Sequence, residues 1–196
     1  MTDLITIEEY KDALGIESTK GDRKVSSLIT SVSALVKTYC GNSLVDFYSS
    51  DKIEKFTIHR NWNTTAVQLT ETPLVSVTTV EERANYSSAY VEVPSTEYYA
   101  DFSVDAIYRV TPTGNEYHWP VGPGSVKITY KAGYPECPAD LQLAVVDLVT
   151  YYHKDEHKAR QSIAGASVQN SSSSSQSNNV SFPDHIKRVL DLYKTI

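Results

Sequence analysis

The chain has 196 residues, with 24 Asp and Glu against 18 Lys and Arg, a formal net charge of −6 and 40% hydrophobic residues. That length suits one domain with an inserted subdomain, and the apolar content is enough for a core. An acidic chain without a basic run lacks the charge that grips DNA phosphates. No stretch approaches the ~20 apolar residues of a membrane span.

The opening segment, MTDLITIEEYKDAL, is acidic and has no long apolar run, which argues against a secretory signal. The expectation is a soluble protein made in the cytoplasm, with Cys40 and Cys137 as free thiols. Thr6-Ile7-Glu8-Glu9 is a capping-box pattern, predicting a short helix to about Leu14 that Gly15 ends. Val25, Leu28, Ile29, Val32, Leu35, Val36 and Tyr39 then recur at helical spacing, and Gly41 supplies a stop. The other side of this second helix carries Ser26, Ser27, Thr30, Ser31 and Ser33. A solvated helix face usually carries Lys and Glu. A hydroxyl-rich, nearly uncharged face reads either as ordinary exposed surface or as a site of close packing against another subunit.

From residue 43 the pattern changes to strands. Segments 55–60, 67–69, 75–81, 89–93, 98–101, 106–110 and 126–130 are short and β-branched or aromatic. Pro73, Pro94, Pro112, Pro120 and Pro123 punctuate them. Residues 125–152, SVKITYKAGYPECPADLQLAVVDLVTYY, link this region to a helix. Val126, Ile128 and Tyr130 alternate with polar residues, Gly133 breaks the pattern, and Pro138 suits a first helical position. Leu141, Val145, Leu148 and Tyr152 share one helix face, while Leu143, Val146 and Val149 occupy others. A helix apolar on most sides must be buried on most sides, and a subunit interface would bury it more fully. It is expected to pack on the second helix with Val32 and Leu148 in the shared core.

Residues 165–181 are mostly Ser, Asn and Gln and cannot bury enough apolar surface to offset ordering entropy. Pro183-Asp184 then opens a last helix with Ile186, Val189, Leu190 and Tyr193 in one stripe. So short a helix is marginal alone and must pack on its own domain or on a partner. The expected organisation is α+β: N-terminal helices in 1–42, an antiparallel β subdomain in 43–134, a long core helix in 135–164, a flexible linker in 165–181 and a C-terminal helix in 182–196.

Candidate chemistry is sparse. His153-Lys154-Asp155-Glu156-His157 fits H-x-x-E-H, a spacing that lets two histidines on one helix face hold a metal beside a carboxylate base. It lacks an evident third ligand, so no metal and no cofactor are expected. Gly122-Pro123-Gly124 reads as a hairpin turn, because the P-loop pattern and context are missing. Cys40 and Cys137 have no adjacent His to make a nucleophile. Trp62 and Trp119 suit packing, with base stacking as the alternative.

The order of parts resembles a viral family. The matching pieces are LITIEEYKDALGI, then KVSSLITSVSALVKTYCG, a β region with PLVSVTTV and a late WP, and VKITYKAGYPECPADLQLAVVDLV. Together they are similar to the head–tail connectors of tailed bacterial viruses, also called adaptor or head-completion proteins. The resemblance implies a non-enzymatic ring, commonly of about twelve copies, below the portal. Such a ring seals or extends the DNA channel and offers the tail an attachment surface. The implied partners are the portal protein, a tail or stopper (head-closure) protein and further copies of the chain, with no membrane. DNA passes without sequence-specific binding, which suits an acidic bore that repels phosphate. The implied location is the virion neck, assembled in the host cytoplasm. Apart from the resemblance, the apolar stripe beyond the flexible linker is expected to dock on the portal or a neighbouring copy through Ile186, Val189, Leu190 and Tyr193, and the hydroxyl-rich and over-apolar helices are expected to pack subunits through Ser26, Ser33, Leu143 and Val146. Two other classes stand beside this reading: a sugar- or protein-binding module on the Tyr-rich β region, and a metal-dependent hydrolase using His153, Glu156 and His157.

Overall fold

The computed structural model describes residues 2–59, 64–154, 160–163, 166–169 and 182–194. The chain divides into a helical unit, Met1–Gly41 with Cys137–Lys194, and a β unit, Asn42–Glu136. The class is α+β, with the β unit inserted between helices that pack together.

In the helical unit, α1 spans Ile7–Leu14. Its capping box is complete: Thr6 Oγ1 accepts from the Glu9 amide at 3.1 Å, and Glu9 Oε2 accepts from the Thr6 amide at 2.6 Å. Helix α2, Asp22–Cys40, buries Ile29, Val32, Val36 and Cys40 along one stripe. Helix α3, Ala139–His153, packs on α2 and buries Leu141, Val145, Leu148 and Val149. Val32 and Leu148 both lie in the core, as the two stripes require. Pro138 is the N-cap of α3 and not its first helical residue; at ψ 142 it is still extended, and its carbonyl accepts the Gln142 amide at 2.7 Å. The helix ends at His153, short of residue 164. Beyond it Arg160–Ile163 (β8) and Ala166–Gln169 (β9) form an antiparallel hairpin. The rest of the expected linker, 165 and 170–181, lies outside the described residues. Helix α4, Asp184–Leu192, packs on α3 and α2.

The β unit holds two antiparallel sheets. One has the order β1 (Lys52–Ile58), β7 (Gly122–Ala132), β3 (Leu74–Glu82), β4 (Val91–Glu92). The other has the order β2 (Ala66–Gln68), β6 (Ala106–Arg109), β5 (Tyr98–Asp101). All seven expected strand segments carry strands here, 98–101 with the ends expected and the others with shifted ends. The central strand is β7, laddered to β1 and β3. Its Val126, Ile128 and Tyr130 are fully buried among Ile58, Leu69, Val80, Ile107 and Trp119. Strand β1 begins at Lys52, earlier than its apolar residues suggest, because Glu54 faces inward and accepts the Tyr130 hydroxyl at 2.8 Å.

The base of the β unit is tightly closed. Tyr134 donates its amide to the Leu44 carbonyl at 2.7 Å, and Gly133 donates to the Pro73 carbonyl at 2.8 Å. Gly133 has φ 101, and a Cβ there would run into the Leu44 carbonyl oxygen. Buried Glu71 accepts from the Ser43 amide at 2.7 Å and the Ser43 hydroxyl at 2.8 Å, and pairs with Lys52 at 3.3 Å. The chain's entry into this unit and its exit are therefore held side by side.

Candidate assembly surfaces

The C-terminal stripe faces its own helical unit. Ile186 and Leu190 are buried, and Val189 and Tyr193 are half-buried. Polar contacts fasten the C-terminal end of the helix. Tyr39 donates to Asp191 Oδ1 at 2.6 Å, Tyr193 donates to Asp140 Oδ1 at 2.6 Å, and Cys40 Sγ lies 3.7 Å from the Leu190 carbonyl. Phe182, buried, sets its ring edge-on to Tyr39 with centroids 5.0 Å apart. The expectation of a free portal-docking stripe is corrected to this extent: in the folded subunit Ile186 and Leu190 are core. Their burial removes the solvent-exposed apolar face that helix-in-groove docking needs.

The residues expected at a subunit contact separate into two groups. Ser33 and Val146 are buried inside the unit, and Ser33 Oγ accepts the Leu4 amide at 3.0 Å. That serine tethers the N-terminal segment to α2 and is no surface residue. Buried Lys37 fastens the same segment, donating to the Thr2 carbonyl at 2.7 Å. Ser26 and Leu143 do lie on the surface, and Leu143 is 63% exposed.

The hydroxyl face of α2 is less polar than its sequence suggests. Ser31 Oγ donates to the Ser27 carbonyl at 2.9 Å, and Thr38 Oγ1 to the Ala34 carbonyl at 2.8 Å. Thr30 Oγ1 lies 3.0 Å from Asp3 Oδ2 and 3.3 Å from the Ser26 carbonyl. Donors turned onto the helix's own backbone lower the cost of covering Ser31 and Thr38, while exposed Asp3 and Ser26 keep polar groups on this side.

Among the described residues no group of three or more His, Cys, Asp or Glu is placed to hold a metal. His153 ends α3, while Glu156 and His157 lie outside the described residues, as does Trp62. Trp119 is buried in the β core. Burial pushes the Cys40 thiol up to about 11 and the Cys137 thiol up to about 12, so neither is a thiolate at neutral pH.

Buried Lys37, Glu71 and Arg109 escaped the sequence reading, and Arg109 has the most charged partners of the three. Arg109 meets Glu82 through Nε and Nη2, both at 3.1 Å, and Glu97 through Nη2 at 3.0 Å. Its Nη1 donates to the Glu97 and Val110 carbonyls at 2.8 and 2.9 Å. The available signal was parity: Arg109 stands two residues from fully buried Ile107 on β6, so it points inward.

Helices that close on one another and an inserted β unit with a pinned base make up the scaffold. The sequence pattern of the head completion proteins matches residues 3–196. The chain belongs to the head completion protein family, and its role is that of a structural head–tail connector. Among curated proteins, none matches it.

Three solved structures share the fold. A chain in the neck of an empty gene transfer agent particle, computed with C6 symmetry, is 16% identical at a TM-score of 0.60, covering 98% of this chain and 90% of that one. A chain in the native neck, computed with C12 symmetry, is 16% identical at 0.59, covering 100% and 94%. A chain of the native gene transfer agent virion is 17% identical at 0.60, covering 98% and 90%.

Proposed function

We propose that the chain forms a ring of about twelve copies at the neck of a virus-like particle. The portal protein lies on one side of the ring and the tail or head-closure protein on the other. The observation that carries this reading is the family match over residues 3–196, supported by the fold shared with a chain of a C12 neck. The ring catalyses nothing. It continues the DNA channel, and a net charge of −6 lets DNA pass without being held. Within the helical unit, the outer face of α2 around Ser26 packs against exposed Leu143 of the next copy. Ser33 and Val146 contribute by shaping the subunit that presents these faces.

The test uses the purified full chain and tail-less capsids that carry a portal. About twelve copies per particle, with tail attachment restored, is the expected result. Failure to bind portal-bearing capsids, or binding as isolated copies, overturns the reading.

A further inference from the structure

Strands β5 and β6 are joined by turn 101–105, which is braced from several directions. Asp101 Oδ1 accepts from the Ser103 amide at 2.9 Å and from Ser103 Oγ at 2.6 Å. Gln68 Nε2 donates to the Val104 and Asp105 carbonyls at 2.7 and 3.2 Å. Asp105 sits at φ 54, and its Oδ1 accepts the Leu74 amide at 2.6 Å. This bracing holds large apolar side chains in water: Phe102 is 56% exposed, Val104 48%, and Tyr99 on the adjoining edge strand 58%. A single exposed apolar residue is ordinary. Three on one rigid hairpin make a preorganised knob, which loses little further entropy on binding.

A second surface of the same unit is complementary in chemistry. Along β1, Ile53, Lys55 and Thr57 alternate outward, and Ile53 is 62% exposed. Lys55 stands directly opposite Lys127 on β7. Lys127 is paired with Glu81 at 2.6 Å, whereas Lys55 has no carboxylate partner among the described residues. Glu81 meets the charge of Lys127, so Lys55 is the cation of this pair that an acidic visitor can meet. The hairpin carries Asp101 and Asp105 beside its apolar tip.

We propose that these surfaces meet head to tail: Phe102 and Val104 of one copy seat against Ile53 on β1 of the next, with Lys55 beside the hairpin carboxylates. Two different patches meeting in this way give a heterologous contact, which closes into a ring when the rotation permits. The proposal rests on the ring reading above and adds which part of the β unit joins neighbours.

The test is a cross-link. Ile53→Cys and Val104→Cys chains are purified separately, mixed, loaded on portal-bearing capsids and mildly oxidised. The mixture is expected to give a covalent dimer carrying the 53–104 disulfide, absent from either variant alone. Lys55 is exposed, so Lys55→Glu is expected to keep the melting curve of the wild type, yet its loading is expected to fall about tenfold. The double variant Phe102→Ser, Val104→Ser is expected to lose loading with an unchanged melting curve. If wild type loads but the mixture gives no cross-link, the surface pairing is wrong and the ring stands. If wild type fails to load at all, both readings fail.

Discussion

Tyr39, in the last turn of α2, donates its phenolic hydrogen to Asp191 of α4 at 2.6 Å, joining residues 152 positions apart. A helix of nine residues is too short to hold itself in water. Its order comes from such contacts and from the buried side chains Phe182, Ile186 and Leu190.

That bond has a titration signature. The Asp191 carboxylate, then burial, raise the Tyr39 phenol from 10.0 to about 12. The folded subunit thus holds the phenolic proton more tightly than the unfolded chain. The stabilisation is full below the ordinary phenol range and is lost as pH rises through about 12. The difference in alkaline absorbance titration between wild type and Tyr39→Phe should place this group near 12, and Asp191→Asn should lower it.

Removing residues 182–196 should destabilise the isolated subunit, because three large side chains leave the core at about 1.5–3 kcal/mol each. Chemical denaturation measures the loss. An unchanged stability together with lost capsid attachment would instead restore the docking role for Ile186, Val189, Leu190 and Tyr193.

Leu148 and Leu143 lie on one helix and should behave oppositely. Leu148 is fully buried, so Leu148→Ala should cost about 2–5 kcal/mol in denaturant unfolding. Leu143→Ala should change stability by under about 0.5 kcal/mol. Its effect should instead appear as fewer copies per portal-bearing capsid.

Gly133→Ala should destabilise the β unit by more than about 1 kcal/mol. The positive φ disfavours a Cβ, and the Leu44 carbonyl occupies its place. Thermal melting checks this, with Gly114→Ala as a comparison: that glycine also has positive φ, 83, but open space around it. The difference between the two variants isolates the collision.

Arg109→Met should cost about 2–3 kcal/mol, since it leaves Glu82 and Glu97 without their shared cation. Both carboxylates are partly exposed, so water limits the loss. Further substitution of both glutamates by Gln should recover much of it, which denaturant melts of the triple variant would measure.

Much of the fold was legible because its causes are local. The capping box at Thr6 and Glu9, the stop at Gly41 and the alternation of Val126, Ile128 and Tyr130 each depend on neighbours within a few residues. The matching of α2 to α3 followed from two apolar stripes that had to be covered. The family too was legible, because its pattern of apolar and turn positions runs in sequence order.

Tertiary structure decided what local pattern could not. Ser26 and Ser33 are alike in sequence, yet one lies in solvent and the other is buried against the Leu4 amide. The stripe of α4 read as a docking face, with a core face as the alternative, until Tyr39, Asp140 and Cys40 were found around it. Arg109 went unremarked in the sequence, and only the fold brings Glu82 and Glu97 to it. In each case the deciding partner is distant in sequence, and helical or strand periodicity says which way a side chain points but not what it meets there.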